Sequence, residues 1–397
     1  MKTMWIERTM ASELVEIAKS FPVLAIVGPR QVGKTSLVER TFPDYPYVSL
    51  DAGVNAEAAE TRPSDFLKAN PPPVVLDEIQ YAPSFFRHIK ACVDANKGRN
   101  GLFILSGSQN FLLMEKVSES LAGRAAIVPL SGLSAEEWKN AAVVSNNVPW
   151  IEFLWKGGFP GLWEKGDASP SRDRWYQGYV ATYLERDVRN VINVGSLRDF
   201  ERFLRATAGR CGQMLNLSEL GRDVGVSATT ARQWMSALLA SNQVFLLEPY
   251  YRSLGKRVAK SPKLYFMDTG LAAYLMGFGS AGSLWSSDRA GALWENHVIG
   301  QWVRQRDWRA PSMALWHWRN QSGTEVDLVI EKDRELIPVE CKLAERPDGG
   351  DLKGIRSFRK FYGDQQTKHS FLACPVDMPF DLDDGVSAVP GWTCWEL

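Results

Sequence analysis

Short apolar runs at residues 23–27, 47–50, 74–76, 102–105 and 126–130 are separated by stretches with helical spacing. Runs of that length, bounded by turn residues and alternating with helices, predict buried strands of a parallel sheet. Residues 1–140 therefore read as an α/β domain. From 141 to 210 the pattern becomes helical and charged. Residues 211–276 hold two short helical patterns and then a hairpin-like pair at 244–251 and 263–267. A Gly/Ser-rich stretch at 277–287 predicts a linker. Residues 288–397 open with a helix and continue with strands and a further helix, a second α/β domain. Neither an internal repeat nor a low-complexity segment is found.

Composition narrows the picture without naming a role. With 397 residues, 45% hydrophobic and 23% charged, the chain is long enough for two or three folded domains. Its 46 basic and 46 acidic residues cancel, so any contact with nucleic acid must come from a local patch. The five cysteines, Cys92, Cys211, Cys341, Cys374 and Cys394, include no C-x-x-C pair, which argues against a disulfide scaffold or zinc knuckle and for a reducing compartment. No apolar run approaches the roughly 18 residues that span a bilayer, and the first eight residues lack an apolar signal core. A cytoplasmic protein without a membrane partner is expected.

The most informative string is Gly28-Pro29-Arg30-Gln31-Val32-Gly33-Lys34-Thr35, which fits G-x-x-x-x-G-K-[ST]. It follows an apolar strand and opens a helix at Ser36-Leu37-Val38-Glu39, the context the motif requires. Glycines let backbone N–H groups turn inward around phosphates, and a helix N-terminus adds positive potential. Lys34 is expected to neutralise the β- and γ-phosphates of ATP, and the Thr35 hydroxyl to ligate Mg²⁺. Residues 28–36 thus form the expected nucleotide-binding loop. Val74-Val75-Leu76-Asp77-Glu78 ends a strand in two acids: Asp77 is expected in the Mg²⁺ shell, and Glu78 beside the attacking water. Water as acceptor points to hydrolysis to ADP. Ser106-Gly107-Ser108-Gln109-Asn110 could sense the γ-phosphate from another strand end, and Arg124 is a candidate arginine finger for a neighbouring copy, which implies a homo-oligomer.

Gly-Pro-Arg-Gln-Val-Gly-Lys-Thr, Leu-Asp-Glu-Ile-Gln, Ser-Gly-Ser-Gln and Ser-Leu-Ala-Gly-Arg, in this order, resemble the AAA+ ATPases of bacteria and archaea that carry a C-terminal domain of unknown function. Tyr-Leu-Glu-Arg-Asp-Val-Arg (183–189) and Leu-Tyr-Phe-Met-Asp-Thr-Gly-Leu (264–271) belong to the same pattern. The resemblance spans roughly residues 5–345. It implies a P-loop AAA+ core, a winged-helix segment and a nuclease-like C-terminal domain.

Within 211–276, Leu217 to Val224 reads as a helix capped by Ser218, Gly225-Val226-Ser227 as a turn, and Ala228 to Ala240 as a second helix burying Ala231, Trp234 and Leu238. Thr229, Thr230, Arg232 and Gln233 would then stand where a helix-turn-helix reaches base edges. Arg252, Lys256, Arg257 and Lys260 supply a basic wing. Residues 172–260 carry 14 Lys and Arg against 8 Asp and Glu, the local excess that whole-chain neutrality hides. DNA is the expected partner, with packing against the ATPase as the alternative role.

Glu325-Val326-Asp327 and Glu340-Cys341-Lys342 fall in two apolar strands. Residues i and i+2 share a strand face, so Asp327, Glu340 and Lys342 would meet, with Glu295 added from the preceding helix. This D…E-x-K arrangement resembles the PD-(D/E)XK nucleases, with Val326 where the motif's name has proline. It would imply Mg²⁺ held by Glu295, Asp327 and Glu340, and Lys342 acting on the attacking water. The other E-x-K, Glu137-Trp138-Lys139, lies in a helical run where the spacing has no such meaning. The alternative is a catalytically silent nuclease-like fold in an ATP-controlled switch or scaffold that binds protein partners. His88, His297, His317 and His369 have no metal-ligand spacing, and Trp294, Trp302, Trp308, Trp316 and Trp318 are expected to serve packing before base stacking.

Overall fold

The computed structural model describes residues 5–108, 120–141, 149–163, 171–183, 197–250, 261–308, 310, 312–382 and 385–392. Gln109, Asn110, residues 184–189 of the Tyr-Leu-Glu-Arg motif, the basic wing residues Arg252, Lys256, Arg257 and Lys260, and Cys394 lie outside them. The chain forms two compact units. The first comprises residues 1–133 with 159–161 and 240–242, and the second the remainder. No helix among the described residues is long and apolar enough to cross a membrane.

The first unit runs α1 (Ala11–Ser20), β1 (Val23–Gly28), α2 (Lys34–Thr41), β2 (Tyr47–Ser49), α3 (Gly53–Thr61), α4 (Pro63–Ala69), β3 (Val74–Asp77), α5 (Phe86–Ala95), β4 (Phe103–Ser108) and β5 (Ala125–Pro129). Its five strands are parallel, in the order β2-β3-β4-β1-β5. All six residues of β1 are buried, as expected of a central parallel strand covered on both faces. Val27, Leu76 and Leu105 from three strands join Phe85, Phe86 and Ile89 in one apolar cluster. Because the strands are parallel, β1, β3 and β4 end at the same edge of the sheet. Open α/β sheets bind ligands at that edge. The predicted strands are all present, and β4 continues past Leu105 to Ser108.

The second unit begins with α6 (Ala135–Asn140), where Ser134 and Glu137 form a capping box, so this E-x-K serves a helix start. There follow α7 (Trp150–Lys156), α8 (Arg172–Tyr183), α9 (Leu197–Ala208), α10 (Leu217–Val224), α11 (Ala228–Ala240) and an antiparallel pair, β6 (Val244–Leu247) with β7 (Lys263–Phe266). The cap of α10 is Asn216, whose side chain accepts from Glu219 N; Ser218 instead falls inside the first turn. After α12 (Thr269–Leu275), the predicted linker contains α13 (Ala281–Trp285), started by a capping box of Ser280 and Ser283. Serines read as linker composition are here helix-capping groups. The long α14 (Ala290–Trp308) precedes β8 (Ala314–Arg319), β9 (Glu325–Lys332), β10 (Glu335–Cys341), α15 (Lys353–Tyr362), β11 (Phe371–Cys374), β12 (Phe380–Asp381) and β13 (Ser387–Pro390). The six strands form a mixed sheet in the order β12-β13-β11-β10-β9-β8. Trp294, Trp302 and Trp318 are buried, as core packing requires.

Candidate functional site

The loop after β1 owes its shape to residues in the left-handed region. Gln31 has φ 63° and Gly33 φ 93°, and such turns direct successive N–H groups inward. Gly28 is required for a different reason. A Cβ there would lie 2.0 Å from the Leu130 carbonyl oxygen, closer than atoms can approach. Helix α2 begins at Lys34, two residues before the expected Ser36, because the Gly33 turn already sets the first helical residue. Lys34 is buried, and its Nζ donates to the carbonyls of Gly28 at 3.0 Å and Pro29 at 2.9 Å.

Asp77, at the end of β3, is the hub of this edge. Its Oδ2 accepts from Thr35 Oγ1 at 2.8 Å and from Tyr47 Oη at 2.5 Å. Its Oδ1 accepts from Ser106 Oγ and from Glu78 N, the latter at 3.1 Å. Burial and then the bond to Asp77 push the Tyr47 phenol above its ordinary pKa. Glu78 has φ 57°, and its carboxylate accepts from Gln80 Nε2. The Asp77 carboxylate and the Thr35 hydroxyl, held together near the glycine loop and the buried Lys34, are groups of the kind a magnesium nucleotide takes. Thr35 and Asp77 would hold the ion. Arg124 pairs with Asp94 of α5 at 2.7 Å and donates to the Ala122 carbonyl, so in this chain its guanidinium is engaged locally.

Two further residues of this site carry no signal in the sequence. Tyr47 stands at the start of β2, and only the β2–β3 register, which places Tyr47 beside Val75, carries its hydroxyl to Asp77. Arg8 is buried and donates to Val32 O at 2.9 Å and Ser131 O at 2.8 Å, bracing the loop from below. Nothing near Arg8 in sequence marks it.

The second cluster lies within the second unit. Val339 pairs with Leu328 across β10 and β9, which sets Glu340 beside Asp327. Both acids are buried, and Lys342 Nζ lies 3.2 Å from Glu340 Oε1, while Glu340 Oε2 has no hydrogen-bond partner. Glu295, from α14, joins them through a lysine distant in sequence. Lys263 of β7, 3% exposed, places its Nζ 3.0 Å from Glu295 Oε1 and 3.2 Å from Asp327 Oδ1, with Glu325 Oε1 at 3.8 Å. Tyr265 Oη also donates to Glu295 Oε1, at 2.5 Å, and Cys341 N donates to Asp327 Oδ2 at 3.0 Å.

Burial and the charge of Asp327 raise Glu295 to about 7 and Glu340 to about 8. Burial alone would lower Lys263, but Glu295, Asp327 and Glu325 outweigh it and hold the ammonium above its ordinary range. The expected metal ligands Glu295, Asp327 and Glu340 therefore do not fit a divalent ion as they stand, because an ammonium already sits between two of them. Among the described residues, no group of three or more His, Cys, Asp and Glu side chains is arranged to hold a metal. Lys263 could have been suspected only as an isolated charge opening an otherwise apolar strand.

Residues 20–139 match an AAA domain, 149–282 a domain of unknown function (DUF8612), and 290–394 another domain of unknown function (DUF4143). Uncharacterized proteins of Mycobacterium bovis and Mycobacterium tuberculosis are each 32% identical over 388 residues, covering 96% of this chain and 83% of their own. A Walker-type ATPase of Pyrococcus abyssi aligns with 68% of this chain and 96% of its own, at 17% identity and a TM-score of 0.47. The chain belongs to the family of AAA+ ATPases that carry a C-terminal domain of unknown function.

Proposed function

We propose that the chain is a Mg²⁺-dependent ATPase whose nucleotide state controls a DNA-binding second unit. The observation that carries the first half is the meeting of Lys34, Thr35 and Asp77 at one sheet edge, with Thr35 Oγ1 2.8 Å from Asp77 Oδ2. Residues 28–36 supply N–H groups for the phosphates, and Lys34 exchanges its carbonyl partners for phosphate oxygens, which are stronger acceptors because they are charged. Bound Mg²⁺ would neutralise charge developing on the phosphates. Glu78 is the group to orient and deprotonate the attacking water once it leaves Gln80. Arg124 would serve a neighbouring copy only after releasing Asp94.

In the second unit, helix α11 supports contact with DNA. Ser227 Oγ accepts from Thr230 N and starts the helix, leaving Thr229, Arg232 and Gln233 exposed and Thr230 half-buried. The sequence of α9, α10, α11 and the β6–β7 pair supports reading this segment as a winged helix-turn-helix. Of the two roles open to Asp327, Glu340 and Lys342, the Lys263 contacts favour a non-cleaving binding fold over metal-assisted cleavage.

ATP hydrolysis by the full chain in Mg²⁺ is the test of the first half. Wild-type turnover that disappears in Lys34→Ala supports the reading, and equal turnover by the two proteins contradicts it. For the second half, duplex DNA should bind at low salt and weaken as salt rises. Arg232→Ala should lower that affinity several-fold, and absence of any DNA affinity at low salt would leave a protein-binding switch.

A further inference from the structure

The strand β7 carries Lys263 and Tyr265 two residues apart, hence on one face of the strand. Both side chains donate to the same oxygen, Glu295 Oε1, at 3.0 and 2.5 Å. Lys263 also donates to Asp327 Oδ1 at 3.2 Å, and the other Asp327 oxygen accepts from Cys341 N. Three elements remote in sequence, β7, α14 and β9, are thus joined through one ammonium group. A lysine buried to this degree costs several kcal/mol unless carboxylates surround it, and here two lie within hydrogen-bond distance. Glu295 and Asp327 each commit one carboxylate oxygen to this ammonium.

We propose that Lys263 is the resident cation of this acidic cluster, closing it to divalent metal and fastening strand β7 to helix α14 and strand β9. The cluster is a latent metal site whose occupant is part of the chain. Withdrawal of β7 would expose Glu295 and Asp327 together, and Glu340, whose Oε2 is buried without a hydrogen-bond partner, is the adjacent acid available to a hydrated ion. Closure by Lys263 separates this domain from a metal-loaded nuclease without requiring loss of the carboxylates. This inference does not depend on the ATPase reading, since none of these residues lies in the first unit.

The test is a calorimetric titration of Mn²⁺ into the nucleotide-free full chain. Wild type should show no saturable site tighter than ~1 mM that depends on Asp327. Lys263→Ala should gain one site at least about tenfold tighter, and adding Asp327→Asn should remove it. A wild-type Mn²⁺ site abolished by Asp327→Asn overturns the proposal. So does a Lys263→Ala variant that keeps its circular dichroism spectrum and gains no site. Should Lys263→Ala fail to fold, Lys263→Met is compared with the paired variant Lys263→Met/Glu295→Gln. Recovery of the thermal transition in the pair supports the ionic fastening, and a pair no more stable than Lys263→Met alone contradicts it.

Discussion

Each unit of this chain buries a lysine ammonium where chemistry would be expected, and the contacts described for the two differ. Lys34 donates to two carbonyls of its own loop, those of Gly28 and Pro29. Lys263 rests on two carboxylates, Glu295 and Asp327, delivered by other elements. A carbonyl is a modest acceptor that a charged phosphate can replace, whereas a buried carboxylate pair holds its cation in place. Burial of a lysine therefore marks readiness in one unit and closure in the other.

Substitution of each lysine separates the two cases. Lys263→Met should destabilise the second unit by roughly 3–5 kcal/mol, the usual result of leaving buried carboxylates without their cation. Chemical unfolding of the full chain followed by tryptophan fluorescence would measure this, and a loss below about 1 kcal/mol would contradict the ionic fastening. Lys34→Ala should reduce ATP turnover by at least ~10²-fold while shifting the thermal transition little. Equal losses of stability in the two variants would erase the contrast.

A smaller effect comes from His297, which is buried beside the Trp392 carbonyl with Nε2 at 3.0 Å. Burial lowers its pKa to about 4, below the ordinary imidazole value. A depressed folded pKa gives stability that is present above about 6.5 and lost as the pH falls toward 4. Between pH 7 and 5 the loss should be about 2 kcal/mol. Glu295 and Glu340 act oppositely, since their raised values stabilise the fold at low pH and lose that contribution as the pH rises through about 7 and 8. The informative quantity is thus the difference between wild type and His297→Gln, whose pH profile should lose the histidine component. The smallest change is expected from Tyr47→Phe. It removes one donor to Asp77, and the Mg²⁺ dependence of ATP turnover should shift by a few-fold. An unchanged Mg²⁺ dependence would place Tyr47 outside the metal's surroundings.

How much was legible in sequence follows the same contrast. The phosphate loop is local: Gly28 to Thr35 are contiguous, and a strand before and a helix after them suffice to read the site. Asp77 was legible because an acid ending an apolar run has few meanings once such a loop precedes it. The β9–β10 hairpin and its acids were likewise visible, as two short apolar runs in which residues i and i+2 share a face. Lys263, Tyr265, Tyr47 and Arg8 were not, because each reaches its partner only through the fold. Lys263 lies 32 residues from Glu295 and 64 from Asp327. A nuclease-like reading of the carboxylates alone omits the cation between them. The Asn216 cap and the helix at Ala281–Trp285 were missed for a lesser reason, as Asn, Ser and Gly serve turns and helix starts alike.

Counting bound Mn²⁺ on the full chain by electron paramagnetic resonance, with and without a non-hydrolysable ATP analogue, tests both halves of this contrast at once. One tightly bound ion is expected with the analogue, lost in Lys34→Ala, and none without it. A nucleotide-independent ion that disappears in Asp327→Asn, or no ion with the analogue present, would contradict it.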